Sequence, residues 1–76
     1  MEKHIKKFQQ LGLNISYYRR LIGLSQIKLA EKANISRTHL SQIEAPNMKK
    51  SLSISTLFDI ADALDIDVAK LFEFRE

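Results

Sequence analysis

The sequence contains no cysteine, a single proline and only two glycines among its 76 residues. Without cysteine there is neither a disulfide framework nor a cysteine-ligated metal site. The glycines, Gly12 and Gly23, stand alone, so no glycine-rich loop can cradle a nucleotide phosphate. No stretch approaches the roughly 18 consecutive apolar residues that span a bilayer. The opening MEKHIKKFQQLGLNISYY carries charge but no long apolar segment, so it does not read as a secretory signal.

Groups suited to catalysis are equally scarce. His4 and His39 are the only histidines, and neither has an evident partner for metal binding or proton transfer. The serines lack a plausible base. Asp59, Asp62, Asp65 and Asp67 invite comparison with a calcium loop, but its glycine and terminal glutamate are missing. They read instead as a solvated acidic face plus a helix cap. The expectation is a protein that is not an enzyme and carries no metal or cofactor.

What is present points to one small folded domain, residues 1–76. The hydrophobic fraction of 45% is ordinary for a folded chain. A chain this short buries only about 60–65% of its unfolded surface, so its core is thin. Charge is unevenly placed. Residues 1–50 hold ten Lys or Arg against three Glu, a balance of +7, and residues 51–76 hold two against six, a balance of −4. A basic front suits contact with a polyanion; a solvated mixed surface is the alternative.

The hydrophobic spacing is helical nearly throughout. Leu11, Ile15, Tyr18 and Ile22 form a stripe, which Gly23 ends. Ser25 caps a second helix with Ile27, Leu29, Ala30 and Ala33 inside, closed by Asn34. Ser36 caps a third, running to about Glu44. Pro46 and the polar run that follows mark a loop. Ser53 or Ser55 caps a fourth, with Leu57, Ile60, Ala61 and Leu64 inside. Asp67 caps a short fifth, with Val68, Leu71 and Phe72 inside. Only the brief LSIS at 52–55 alternates like a strand. Five short helices make an all-α domain. The tight connection around Asn34, Ile35 and Ser36 makes the second and third a helix-turn-helix.

The third helix, 36–44, is unusual on its outer side. At about 100° per residue, Leu40 and Ile43 set the buried direction. Thr38 then points away from the core, with Ser41 and Gln42 on either side and Arg37 nearer the flank. A merely solvated helix favours Glu and Lys there over Ser and Thr. This face instead offers Arg, which matches the O6/N7 edge of guanine, and Gln, which matches the N6/N7 edge of adenine. Arg19 and Glu44 both lie at the rim of the core, where they can pair or remain separate surface charges.

These residues together resemble a known family. Gly12 and Ile15, Arg19, Gly23-Leu-Ser-Gln26, Leu29-Ala30, Ile35-Ser36, Leu40-Ser-Gln-Ile-Glu44, Thr56-Leu57, Ile60-Ala61, Ala63-Leu64 and Leu71-Phe72 follow the ordered pattern of the phage-repressor helix-turn-helix regulators. This Cro-type, lambda-repressor-like group is also called XRE. The resemblance covers about residues 8–73. It implies a compact five-helix DNA-binding domain whose third helix enters the major groove. It places Arg37, Thr38 and Gln42, with Ser41 as a secondary candidate, at base-reading positions. It places Gln26 at a phosphate and makes Arg19 and Glu44 an internal ion pair. Ser36, His39, Asn47 and Lys49 are further candidates for the DNA backbone, with Lys50 beside them. Two departures stand out. Ala45-Pro46-Asn47 replaces a glycine that commonly follows the glutamate, and Leu52 replaces a proline before the fourth helix. The loop 45–52 therefore has its own path.

The resulting expectation is a small cytoplasmic transcription regulator. It would act as a repressor, binding a near-palindromic double-stranded operator as a homodimer, away from membranes. The alternative is a protein-interaction module of the same fold, such as an antitoxin or a partner-controlled regulator. The apolar Val68, Leu71, Phe72 and Phe74 can finish the core, form a homodimer interface or meet a foreign partner.

Overall fold

The computed structural model describes residues 3–47 and 52–74. Four α-helices follow in order: α1 (Ile5–Leu21), α2 (Gln26–Ala33), α3 (Arg37–Glu44) and α4 (Ile54–Leu64). A 3₁₀ helix, Val68–Phe72, follows them. Among the described residues the fold is all-α, with four α-helices and a short 3₁₀ turn, not five full helices.

The correction has a local cause. The last element is only five residues long, too short to offset the cost of nucleating an α-helix. The tighter 3₁₀ turn serves such short pieces. The Lys70 N–H donates to the Asp67 carbonyl at 2.9 Å, three residues back. With three residues per turn, Val68 and Leu71 share the inner side. Leu71 is fully buried and Val68 packs on the core. Phe72, expected inside, is rotated out and 45% exposed.

Three connections are built alike. Gly23, Asn34 and Asp65 each adopt a left-handed conformation, with φ of 77°, 58° and 58°. Behind each, two N–H groups reach back to the last helical carbonyls. Leu24 donates to Arg19, Ile35 to Ala30 and Ile66 to Ala61, at 3.0–3.1 Å. This is the Schellman arrangement. The aliphatic residue, Leu24, Ile35 or Ile66, packs against the core. The next residue caps the following helix: Ser25 accepts from the Lys28 N–H, Ser36 from His39 and Asp67 from Ala69. Ser53, rather than Ser55, caps α4 by accepting from the Thr56 N–H at 3.1 Å. The alternating LSIS segment is therefore a cap and the start of a helix.

Each element sends one fully buried side chain to the centre: Ile15, Leu29, Leu40, Ile60 and Leu71. Leu52 is also buried. Two further expected core residues lie outside. Ile22 falls where α1 has ended and is 50% exposed, and Ile27 lies on the outer side of α2 at 54%. Gly12 is buried where α1 crosses α3, and a methyl group there would strike the Ile43 carbonyl. The glycine thus allows the two backbones to touch. Two residues further along α1, the Asn14 side-chain amide donates to the carbonyls of Leu71, at 2.8 Å, and Glu73, at 3.2 Å. It fastens the 3₁₀ helix to α1.

Candidate nucleic-acid interface

α3 is held by its inner side and open on its outer one. Leu40 and Ile43 are buried, whereas Arg37, Thr38, His39 and Gln42 are exposed and Ser41 is half-buried. Spacing of four residues places Arg37 above Ser41 and Thr38 above Gln42, so the four candidate readers form two adjacent rows. No acidic side chain interrupts them. The helix begins cleanly because the Ser36 hydroxyl oxygen accepts from the His39 N–H at 3.0 Å. The Ser36 hydroxyl proton remains available to donate. Asn47 is exposed beyond the end of α3. Lys49 and Lys50 lie outside the described residues.

A buried polar cluster fixes the far end of α3. The Arg19 Nε and Nη2 groups donate to the two Glu44 carboxylate oxygens at 2.8 and 2.9 Å. Nη1 donates to the Leu24 carbonyl at 2.8 Å. Arg19 is 8% exposed and Glu44 7%. Two parallel N–H···O bonds give such a pair a fixed geometry as well as energy. The Gln26 Nε2 group adds a donor to Glu44 Oε1 at 3.1 Å. Gln26, assigned to phosphate by resemblance, therefore already has a partner inside the protein. This contact and the anchoring role of Asn14 escape sequence reading, since neither partner is signalled by local spacing.

Each of the first three helices exposes positive charge. Arg20, Lys28, Lys32 and Arg37 are all exposed. Lys28 sits 3.7 Å from Glu31, but both side chains are about two-thirds exposed, so the pair leaves the surface solvated. The four aspartates follow a different logic. Asp65 makes a left-handed turn, Asp67 caps the 3₁₀ helix, and Asp59 and Asp62 are exposed on α4. Among the described residues no three His, Cys, Asp or Glu side chains are grouped to hold a metal ion. Nor is any described helix long and apolar enough to cross a membrane.

Comparison with known proteins follows the same lines. The family model described as Helix-turn-helix matches residues 15–71. The chain is 43% identical over 61 residues to the immunity repressor protein of Bacillus phage phi105, covering 80% of this chain and 41% of that protein. It is 36% identical over 63 residues to the HTH-type transcriptional regulator SinR of Bacillus subtilis, covering 83% of this chain and 56% of that protein. It thus spans less than two thirds of either relative. Among solved structures, the restriction-modification controller protein C.AhdI from Aeromonas hydrophila superimposes with a TM-score of 0.80 at 27% identity. That match covers 88% of this chain and 98% of the controller. The fold, the ordered residues and these relatives agree: the chain belongs to the Cro-type (XRE) helix-turn-helix family of DNA-binding regulators.

Proposed function

We propose that the domain binds double-stranded DNA sequence-specifically and regulates transcription, acting as a repressor. The observation that carries this is the outer face of α3, where Arg37, Thr38 and Gln42 stand exposed on a helix anchored at both ends. In this reading α3 lies in the major groove, and Arg37, Thr38, Ser41 and Gln42 meet base edges. Gln26, Ser36, His39, Asn47 and Lys49 meet the sugar-phosphate backbone. The exposed cations add a salt-dependent attraction. A homodimer presents two copies of α3 to successive major grooves about 34 Å apart, which calls for a near-palindromic operator. The setting is cytoplasmic, and no cofactor is required. The family relatives support the reading: one is a phage immunity repressor, and SinR has a solved structure in complex with DNA.

A second reading, binding of a protein partner, has its own observation. Ile54 and Phe58 on α4 are 54% and 49% exposed, and Phe72 and Phe74 are 45% and 40% exposed. SinR also has a solved complex with the SinI protein. Selection from a random duplex library, with wild type and Gln42→Ala in parallel, separates the readings. A near-palindromic motif should emerge, and the variant should lose about 1–3 kcal/mol of discrimination at one symmetric position. Salt-sensitive binding with no enriched motif would move the function to the partner reading. A uniform loss across all sequences would remove Gln42 from the base contacts.

A further inference from the structure

We propose that Glu44 is a positioning residue for DNA binding. It holds the Gln26 side-chain amide by one N–H and leaves the other to donate to a phosphate. The inference rests on the DNA-binding reading above and adds a role within it.

The chemistry of the contact fixes the orientation. A carboxylate only accepts hydrogen bonds, so the nitrogen of the Gln26 amide, not its oxygen, must face Glu44. The observed Nε2 to Oε1 distance of 3.1 Å meets that requirement. An amide nitrogen carries two protons, and Glu44 Oε1 takes one. The Gln26 residue is half-buried, not enclosed, so the second proton is available at the surface. Left free, a glutamine there would sample many rotamers and present oxygen as readily as nitrogen to an anion. Arg19 makes the arrangement compatible with a nearby phosphate. Its guanidinium bonds both carboxylate oxygens, at 2.8 and 2.9 Å, so the Glu44 charge is balanced where it is buried.

The position of the contact gives it a second effect. The turn at Asn34 to Ser36 joins the end of α2 to the start of α3. Gln26 is the first residue of α2 and Glu44 the last of α3. Their hydrogen bond therefore closes the open end of the helix-turn-helix. It sets the backbone-binding end of α2 and the reading face of α3 in one register before DNA arrives. The ordering of Gln26 is completed on folding and need not be repeated on binding.

A binding cycle tests this with four proteins: wild type, Gln26→Ala, the apolar pair Arg19→Met/Glu44→Leu, and the three changes combined. The apolar pair fills the volume while removing the acceptor, a replacement that buried ion pairs often tolerate. Affinity is measured on the selected duplex and on an unrelated one, at a temperature where circular dichroism shows all four folded. Gln26→Ala should weaken both duplexes about tenfold in the wild-type background, as expected for losing a hydrogen bond to a charged group. In the apolar background it should cost less than about twofold. An equal loss in both backgrounds would overturn the positioning role and leave the phosphate contact standing. No loss in either would overturn both. Nuclear spin relaxation on the free wild-type protein gives a test without mutation. The Gln26 side-chain amide should be as restrained as the backbone, and mobility equal to that of Gln42 would refute the proposal.

Discussion

Replacing Arg19 with alanine should be the most damaging single change on the surface of α1 that faces α3. The side chain makes three hydrogen bonds, two to Glu44 and one to the Leu24 carbonyl. Truncation leaves a buried carboxylate whose remaining donor among the described residues is Gln26, and removes the partner of the half-buried Leu24 carbonyl. Removing one member of a buried pair costs about 3–5 kcal/mol, because the other charge stays buried. A domain of this size is stable by only about 4–11 kcal/mol in total. The variant should therefore lose a large part of its stability, with its Tm falling by roughly 15–30 °C. Urea denaturation followed by circular dichroism gives the free energy directly. The double variant Arg19→Met/Glu44→Leu should recover most of the loss, since no charge then remains buried. A loss below about 1 kcal/mol for Arg19→Ala would place the pair with ordinary surface bridges and overturn its role as a buried anchor. So would a double variant as unstable as the single one.

Gly12→Ala should destabilise the domain by about 1–3 kcal/mol or more, because the added methyl meets the Ile43 backbone carbonyl rather than a movable side chain; a thermal melt reads this, and an unchanged Tm would show that α1 can move away freely. Asn14→Ala should cost about 1–3 kcal/mol by releasing the carbonyls of Leu71 and Glu73. Hydrogen exchange should quicken first in the 3₁₀ helix, and unchanged protection there would argue against the anchor. Lys28→Ala provides the contrast: its pair with Glu31 is solvated, so stability should stay within about 0.5 kcal/mol, and a larger loss would mean that this bridge had been undervalued.

Much of the framework was legible because it is written in neighbouring residues. Ser25, Ser36 and Asp67 are caps, and Gly23 and Asn34 end helices, where short-range rules place them. The wheel of α3 separated buried Leu40 and Ile43 from exposed Arg37, Thr38 and Gln42. The failures were of another kind. Periodicity extended α1 to Ile22, but the chain had already turned, leaving that side chain in solvent. It placed Ile27 and Phe72 inside because an apolar residue at helical spacing looks alike on either side of a boundary. Asp65 went unrecognised as a left-handed turn because aspartate also suits exposed helix and cap positions. Asn14 gave no signal, since its partners are 57 and 59 residues away. The link between Gln26 and Glu44 likewise depends on how two helices close, which no local pattern encodes.

The threefold use of one corner has a consequence for how this domain can change over time. Gly23-Leu-Ser, Asn34-Ile-Ser and Asp65-Ile-Asp solve the same geometric problem with different residues at the left-handed position. Only the second leads into a helix offering the candidate readers, so the bend itself carries no preference for DNA. Its job is to aim whatever follows. Evolution can therefore rewrite the outer residues of α3 while the bend stays intact, and can exchange Gly, Asn and Asp at the bends while the outer residues stay intact. Recognition and trajectory become separately inheritable traits, and a new operator can be acquired without learning to fold again.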